Sequence, residues 1–168
     1  MDTIQTIFTR RSVRHFTPEA VSEDDLQVLL KAGFQAPTAG NAQPTHFIVI
    51  SDRPTLDRIP AFHTSSAFLT ATPLAILVCA DDQVSKPDRW LQDGSAAAMS
   101  ILLAAHALGL GACWVGIQPV PERIAGFVEL AGLPAHIHPV CLIAVGHPAK
   151  TPPPEDRVKP QRIHLNQW

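Results

Sequence analysis

Gly109-Leu110-Gly111-Ala112-Cys113-Trp114-Val115-Gly116 is the stretch whose reading decides the fold. Its spaced glycines resemble a dinucleotide fingerprint, but that motif needs a strand, then a tight turn, then a helix whose first amides meet a pyrophosphate. Here the order is reversed. Trp90 to Leu108 predicts a helix, Gly109 and Gly111 end it, and Ala112 to Ile117 predicts a strand. A Rossmann site is therefore excluded. No Gly-Lys-Ser or Gly-Lys-Thr occurs either, which leaves a triphosphate-binding loop unsupported.

Working outward, Gly94 to Pro121 contains no Asp, Glu, Lys or Arg and is long enough on paper to cross a bilayer. Its Ala and Gly content and its internal glycine turn fit a buried helix followed by a buried strand instead. Downstream, Pro121 to Leu130 predicts a helix begun by Pro and closed at Gly132, and Val140 to Val145 a last strand. Upstream, Leu74 to Cys79 and Phe47 to Ile50 read as core strands. Ser22 and Asp25 resemble a capping box before a helix with Leu26, Leu29, Leu30, Gly33 and Phe34 on one face, stopped at Ala36-Pro37. Ile4, Ile7 and Phe8 give a short first helix. The chain thus reads as α+β around one sheet. After Gly146, the segment from His147 to Pro154 is too rich in proline to be helical. Ile163, Leu165 and Trp168 then offer apolar anchors, so residues 147–168 are expected to form an arm lying on a neighbouring subunit.

The 168 residues are 46% hydrophobic and only 17% charged, with a formal net charge of -2. One domain of this size can bury about two-thirds of its unfolded surface. The charged fraction is below the roughly 25% of an average globular chain, which suggests an oligomer. A nucleic-acid footprint is not visible in the net charge. Cys79, Cys113 and Cys141 lie in apolar runs without Cys-x-x-Cys spacing, which fits buried thiols in a reducing compartment. Residues 1–8 lack the pattern of a secretory signal, so the cytoplasm is the expected location.

The chemistry concentrates in two places. Arg10, Ser12 and Arg14 alternate, so an extended backbone would turn all three to one side. Guanidinium forks and a hydroxyl suit a phosphate monoester; cations following a helix also offset its dipole, and spacing leaves both readings open. Ala36-Pro37-Thr38-Ala39-Gly40-Asn41-Ala42-Gln43-Pro44 is a loop of small residues and carboxamides that can approach the polar edge of a flat ring, or can simply connect a helix to a strand. His136 and His138 share a strand face, but no third ligand is placed by spacing, and no metal is expected.

Taken in order, Arg10-Arg11-Ser12-Val13-Arg14-His15-Phe16, the Ala36–Pro44 loop, Leu110-Gly111-Ala112-Cys113-Trp114-Val115-Gly116 and Ala144-Val145-Gly146-His147-Pro148 resemble the FMN-dependent nitroreductase family. The resemblance runs nearly end to end. It implies a three-layer α+β sandwich, with a mostly antiparallel sheet between helices. It also implies an intertwined homodimer holding FMN at the subunit interface, with residues 1–146 as the FMN-binding domain and 147–168 as its arm. By similarity, Arg10, Arg11, Ser12 and Arg157 would grip the phosphate and Arg14 the pyrimidine side. Pro37, Thr38, Asn41 and Gln43 would reach the ring from the other subunit. Trp114, Val115 and Gly116 would lie near flavin N5, with Arg14 and Gly116 tuning it. The implied activity passes electrons from NADH or NADPH to a small acceptor such as a nitroaromatic, quinone or activated alkene in two alternating steps. Relatives that fragment flavin or remove halogens, and a low-turnover flavin sensor, are the alternatives. One departure from the family pattern is Glu155, where many relatives carry a lysine, so that either Lys159 or Arg162 compensates or the phosphate grip is weaker. Another is the shortness of the chain, which leaves Phe62 to Ser66 as the rim of the site.

Overall fold

In Leu74–Asp81 (β3) every residue up to Ala80 is buried, because this strand lies inside the sheet and both its faces are covered. A computed structural model of the chain describes residues 2–168. It pairs β3 antiparallel with Thr45–Ile50 (β2) on one side and with Ile137–Gly146 (β5) on the other, and β5 pairs antiparallel with Gly111–Gly116 (β4). The order is β2-β3-β5-β4. Alternation along β3 divides the core. Leu74, Ile76 and Val78 face one cluster with Leu29 and Ile101, whereas Ala75, Leu77 and Cys79 face another with Leu56, Ile59, Leu69 and Phe127. Burying each large aliphatic side chain contributes about 1.5–3 kcal/mol, so neither face can be left uncovered. The expected three layers follow.

The first face is closed by Glu23–Phe34 (α2) and Trp90–Ala107 (α4). The second is closed by Arg53–Arg58 (α3), the turns at Ile59–Ala61 and Thr64–Ala71, and Pro121–Ala131 (α5). Ser22 caps α2 by accepting the Asp25 amide at 3.1 Å. The Asp25 carboxylate accepts the Ser22 hydroxyl and makes no return bond to the backbone, so this is half of a capping box. Gly132 ends α5 in a left-handed conformation at φ 61°. Among the described residues no helix is long and apolar enough to cross a membrane.

One expectation needs correction. Phe47 to Ile50 is no core strand: β2 is an edge, paired only with β3, and Val49 is exposed. The first helix, Thr3–Thr9 (α1), has its apolar side turned away from the core of its own chain, leaving Ile4 59% and Phe8 71% exposed.

The arginine segment forms a fifth line of the sheet. Val13 N–H donates to the Ala112 carbonyl at 2.9 Å, and Ser12 bridges Ala112 in parallel, along the open edge of β4. Gly111 permits this approach, since a Cβ there would stand 2.7 Å from Val13 Cγ1 and 2.9 Å from its Cβ. His15–Phe16 (β1) then pairs with Pro148–Lys150 (β6), bringing the root of the C-terminal arm beside the arginines.

Candidate functional site

The end of α1, Met99 of α4 and Pro154 to Val158 of the arm enclose a cleft of about 570 Å³, a size typical of small-molecule sites. Ile7, Phe8 and Met99 supply an apolar wall, and Arg10, Arg11 and Arg157 bring three guanidiniums to it. Arg11 donates to the Pro153 carbonyl and lies 3.4 Å from Glu155; Arg157 lies 3.4 Å from the same carboxylate. Arg10 has no such partner among the described residues. Desolvation, and then repulsion from Arg157, push its pKa below the usual guanidinium value. An anion would relieve that repulsion. Three guanidiniums thus share one cleft, and among the described residues Arg10 has no carboxylate to offset it.

Ser12 and Arg14 do not line this cleft; they continue past it along β4. Burial raises the pKa of the Cys113 thiol, and the nearby Arg14, Ser12 and Arg10 act in the opposite direction. Further along β4, Trp114 is partly exposed, whereas Val115 is buried, so Val115 can present only its backbone to a ligand. The Gly116 carbonyl accepts two hydrogen bonds, from His63 Nε2–H at 2.8 Å and from Arg123 at 2.9 Å. His63 belongs to the expected rim, but it is buried and fixes the end of β4.

The Pro37–Pro44 loop is held rigidly. Asn41 N–H donates to the Thr38 carbonyl at 3.0 Å, Gln43 N–H to Thr38 Oγ1 at 3.0 Å, and Gln43 Nε2 to Asn41 Oδ1 at 3.1 Å. Asn41 and Gln43 both have positive φ, an uncommon conformation that persists only where the surroundings enforce it. Asp93, 5% exposed at the start of α4, accepts the Ala39 amide at 2.9 Å.

Asp93 and the loop mark one end of α4. His106, whose Nε2 lies 2.8 Å from Thr9 Oγ1, marks the other, beside Arg10. Thirteen residues of helix separate these ends by about 20 Å. A single chain therefore brings Arg10, Arg11 and Arg157 together, with Ser12 beside Ala112; Trp114 to Gly116 lie further along β4, outside the cleft, and Pro37, Thr38, Asn41 and Gln43 lie at the far end of α4.

The sequence reading missed Asp93, His106 and the pairing of His63 and Arg123 on Gly116, none of which has a local motif. His138 donates to Asp82 at 2.7 Å and stacks on Trp90, an ordinary side-chain partnership. Lys159 and Arg162, the candidates to replace the lysine absent at Glu155, are exposed and outside the cleft.

Comparison with known proteins agrees with this geometry. A protein of Methanothermobacter thermautotrophicus, provisionally named an NADH dehydrogenase/NAD(P)H nitroreductase, is 41% identical over 100% of this chain and 88% of its own. A solved structure from Parabacteroides distasonis with the same provisional name superposes with a TM-score of 0.96 at 37% identity, covering 99% of this chain and 98% of that one. A provisionally named nitroreductase from Desulfovibrio desulfuricans, solved in complex with FMN, gives 0.86 at 33% identity over 100% and 98%. The nitroreductase family model matches residues 7–83 and 62–147, and this chain belongs to the nitroreductase family.

Proposed function

We propose that the chain is an FMN-dependent oxidoreductase that takes electrons from NADH or NADPH and delivers them to a small acceptor, working as a homodimer. The carrying observation is the cleft where Arg10, Arg11 and Arg157 meet and Arg10 lacks a carboxylate partner. Such a cluster fits a phosphate monoester, whose charge is about -1.5 to -2 near neutrality. The residues present therefore fit FMN. When bound, FMN supplies the two-electron chemistry that links donor to acceptor.

In this reading Arg10, Arg11, Ser12 and Arg157 hold the phosphate. Arg14 lies toward the pyrimidine edge, where a cation stabilises negative charge. Trp114, Val115 and Gly116 follow the ring along β4, and the His63 and Arg123 bonds keep the Gly116 peptide from turning. Pro37, Thr38, Asn41 and Gln43 arrive from a second copy, whose preformed loop excludes water from the ring without further ordering cost. Residues 147–168 act as an arm docked on that copy. The buried, unpaired thiols favour a reducing compartment, for which we propose the cytoplasm.

The experiment is anaerobic. NADH or NADPH should bleach the yellow absorbance of the purified protein, and a nitroaromatic or quinone should restore it. Protein that holds FMN yet is bleached by neither nicotinamide refutes the reading.

A further inference from the structure

The cationic cleft already contains a carboxylate, and it sits where a ligand anion would make its contacts. Glu155 Oε2 is 3.4 Å from Arg11 and 3.4 Å from Arg157. The other acid of the cleft, Asp156, is turned aside to accept the Val158 amide at 3.0 Å.

We propose that Glu155 is a built-in counter-anion, which competes with the phosphate of FMN for Arg11 and Arg157 and so makes the flavin exchangeable. The inference rests on the FMN reading above. Three guanidiniums against Glu155 and Asp156 leave a net charge of about +1, and without Glu155 about +2, close in size to the phosphate monoester charge of about -2. Removing Glu155 would leave the anion facing three guanidiniums offset only by Asp156. The two Glu155 contacts are longer than the roughly 2.7–2.9 Å of strong charge-assisted bonds. Glu155 and Arg157 are also 57% and 62% exposed, so each contact is individually weak and can be given up. Arg11 is less free. Its bond to the Pro153 carbonyl holds it in the cleft whether or not Glu155 is engaged. Phosphate binding thus exchanges one anion for another on a prearranged pair of cations, and part of its gain is spent on displacing Glu155.

The test compares equilibrium binding of FMN and riboflavin to the full-length, flavin-stripped protein, followed by flavin fluorescence at low ionic strength, where exposed charges are least screened. Glu155→Gln should tighten FMN about three- to tenfold, consistent with the loss of two weak competing ion pairs, and should leave riboflavin unchanged. Glu155→Lys should tighten FMN further. Glu155 is exposed, and circular dichroism checks that the variants fold. Unchanged FMN affinity in Glu155→Gln overturns the proposal, and so does weaker affinity, which would make Glu155 a strut that holds the arm. Wild-type protein that binds riboflavin as tightly as FMN overturns the phosphate reading along with it. Wild-type preference for FMN with no gain in either variant overturns the Glu155 role alone.

Discussion

His106 shows how a single residue reports on the arginine cleft without belonging to it. The Thr9 hydroxyl donates to the Gln5 carbonyl at 2.7 Å, so its contact with His106 Nε2 at 2.8 Å assigns the proton to that nitrogen. Burial, and secondly the charge of Arg10, lower the pKa of His106 below its ordinary 6.5. Because the folded value is the lower one, its contribution to stability is present above pH 6.5 and is lost as pH falls through the folded pKa. Arg10→Ala should raise the His106 pKa toward 6.5 without reaching it, since burial remains; NMR titration of the imidazole protons in the flavin-free protein measures this. An unmoved pKa would mean that Arg10 and His106 are not electrostatically coupled. Arg10, Arg11 and Arg14 were legible in the sequence because they cluster, whereas Arg157 came only from the family resemblance. His106 was not legible, because ninety-seven positions separate it from Thr9 and only the fold joins them.

At the scale of elements, strands and helices were legible wherever apolar periodicity met a terminator, as at Ser22, Pro121 and Gly132. What each element packs against was less so. Val49 follows the same β-favouring pattern as Val78, yet one lies on an edge strand and the other in the sheet interior, and a two-residue period is blind to that difference. Gly111 carries a similar hidden constraint. Read locally it is a helix-to-strand turn residue, but its missing side chain lets the arginine segment lie against β4. Gly111→Ala should push Val13 outward, costing about 1–3 kcal/mol by overpacking and loosening Arg10 and Ser12. FMN affinity should fall about tenfold or more, the equivalent of roughly 1.4 kcal/mol. Gly132→Ala is the contrasting case, with open space around the new methyl but φ at 61°. It should cost about 1–2 kcal/mol of stability through left-handed backbone strain and leave FMN affinity unchanged. Urea unfolding and FMN titration of both variants separate the two effects; equal FMN affinities would show that Gly111 supports the fold alone.

For the molecule as a whole, the apolar excess in the composition has a location. Ile4 and Phe8 fall one turn apart on α1, with Met99 exposed on α4 and Trp168 fully exposed at the end of the arm. The loop from Pro37 to Pro44 and the arginine cleft lie at opposite ends of α4, and the proposed homodimer is what would bring the two sets of residues to one ring. Composition suggested an oligomer but could not point to a surface for it, because α1 has the ordinary periodicity of a helix that packs on its own core. If α1 belongs to the dimer interface, Phe8→Glu should bury a charge there at a cost of several kcal/mol and drive dissociation. Light scattering should give about twice the 18.2 kDa chain mass for wild type and about that chain mass for the variant. Since Phe8 is largely exposed within its own chain, the variant monomer should keep its fold by circular dichroism yet bind FMN much more weakly, having lost the partner's loop. A Phe8→Glu protein that remains dimeric and yellow would put the interface elsewhere.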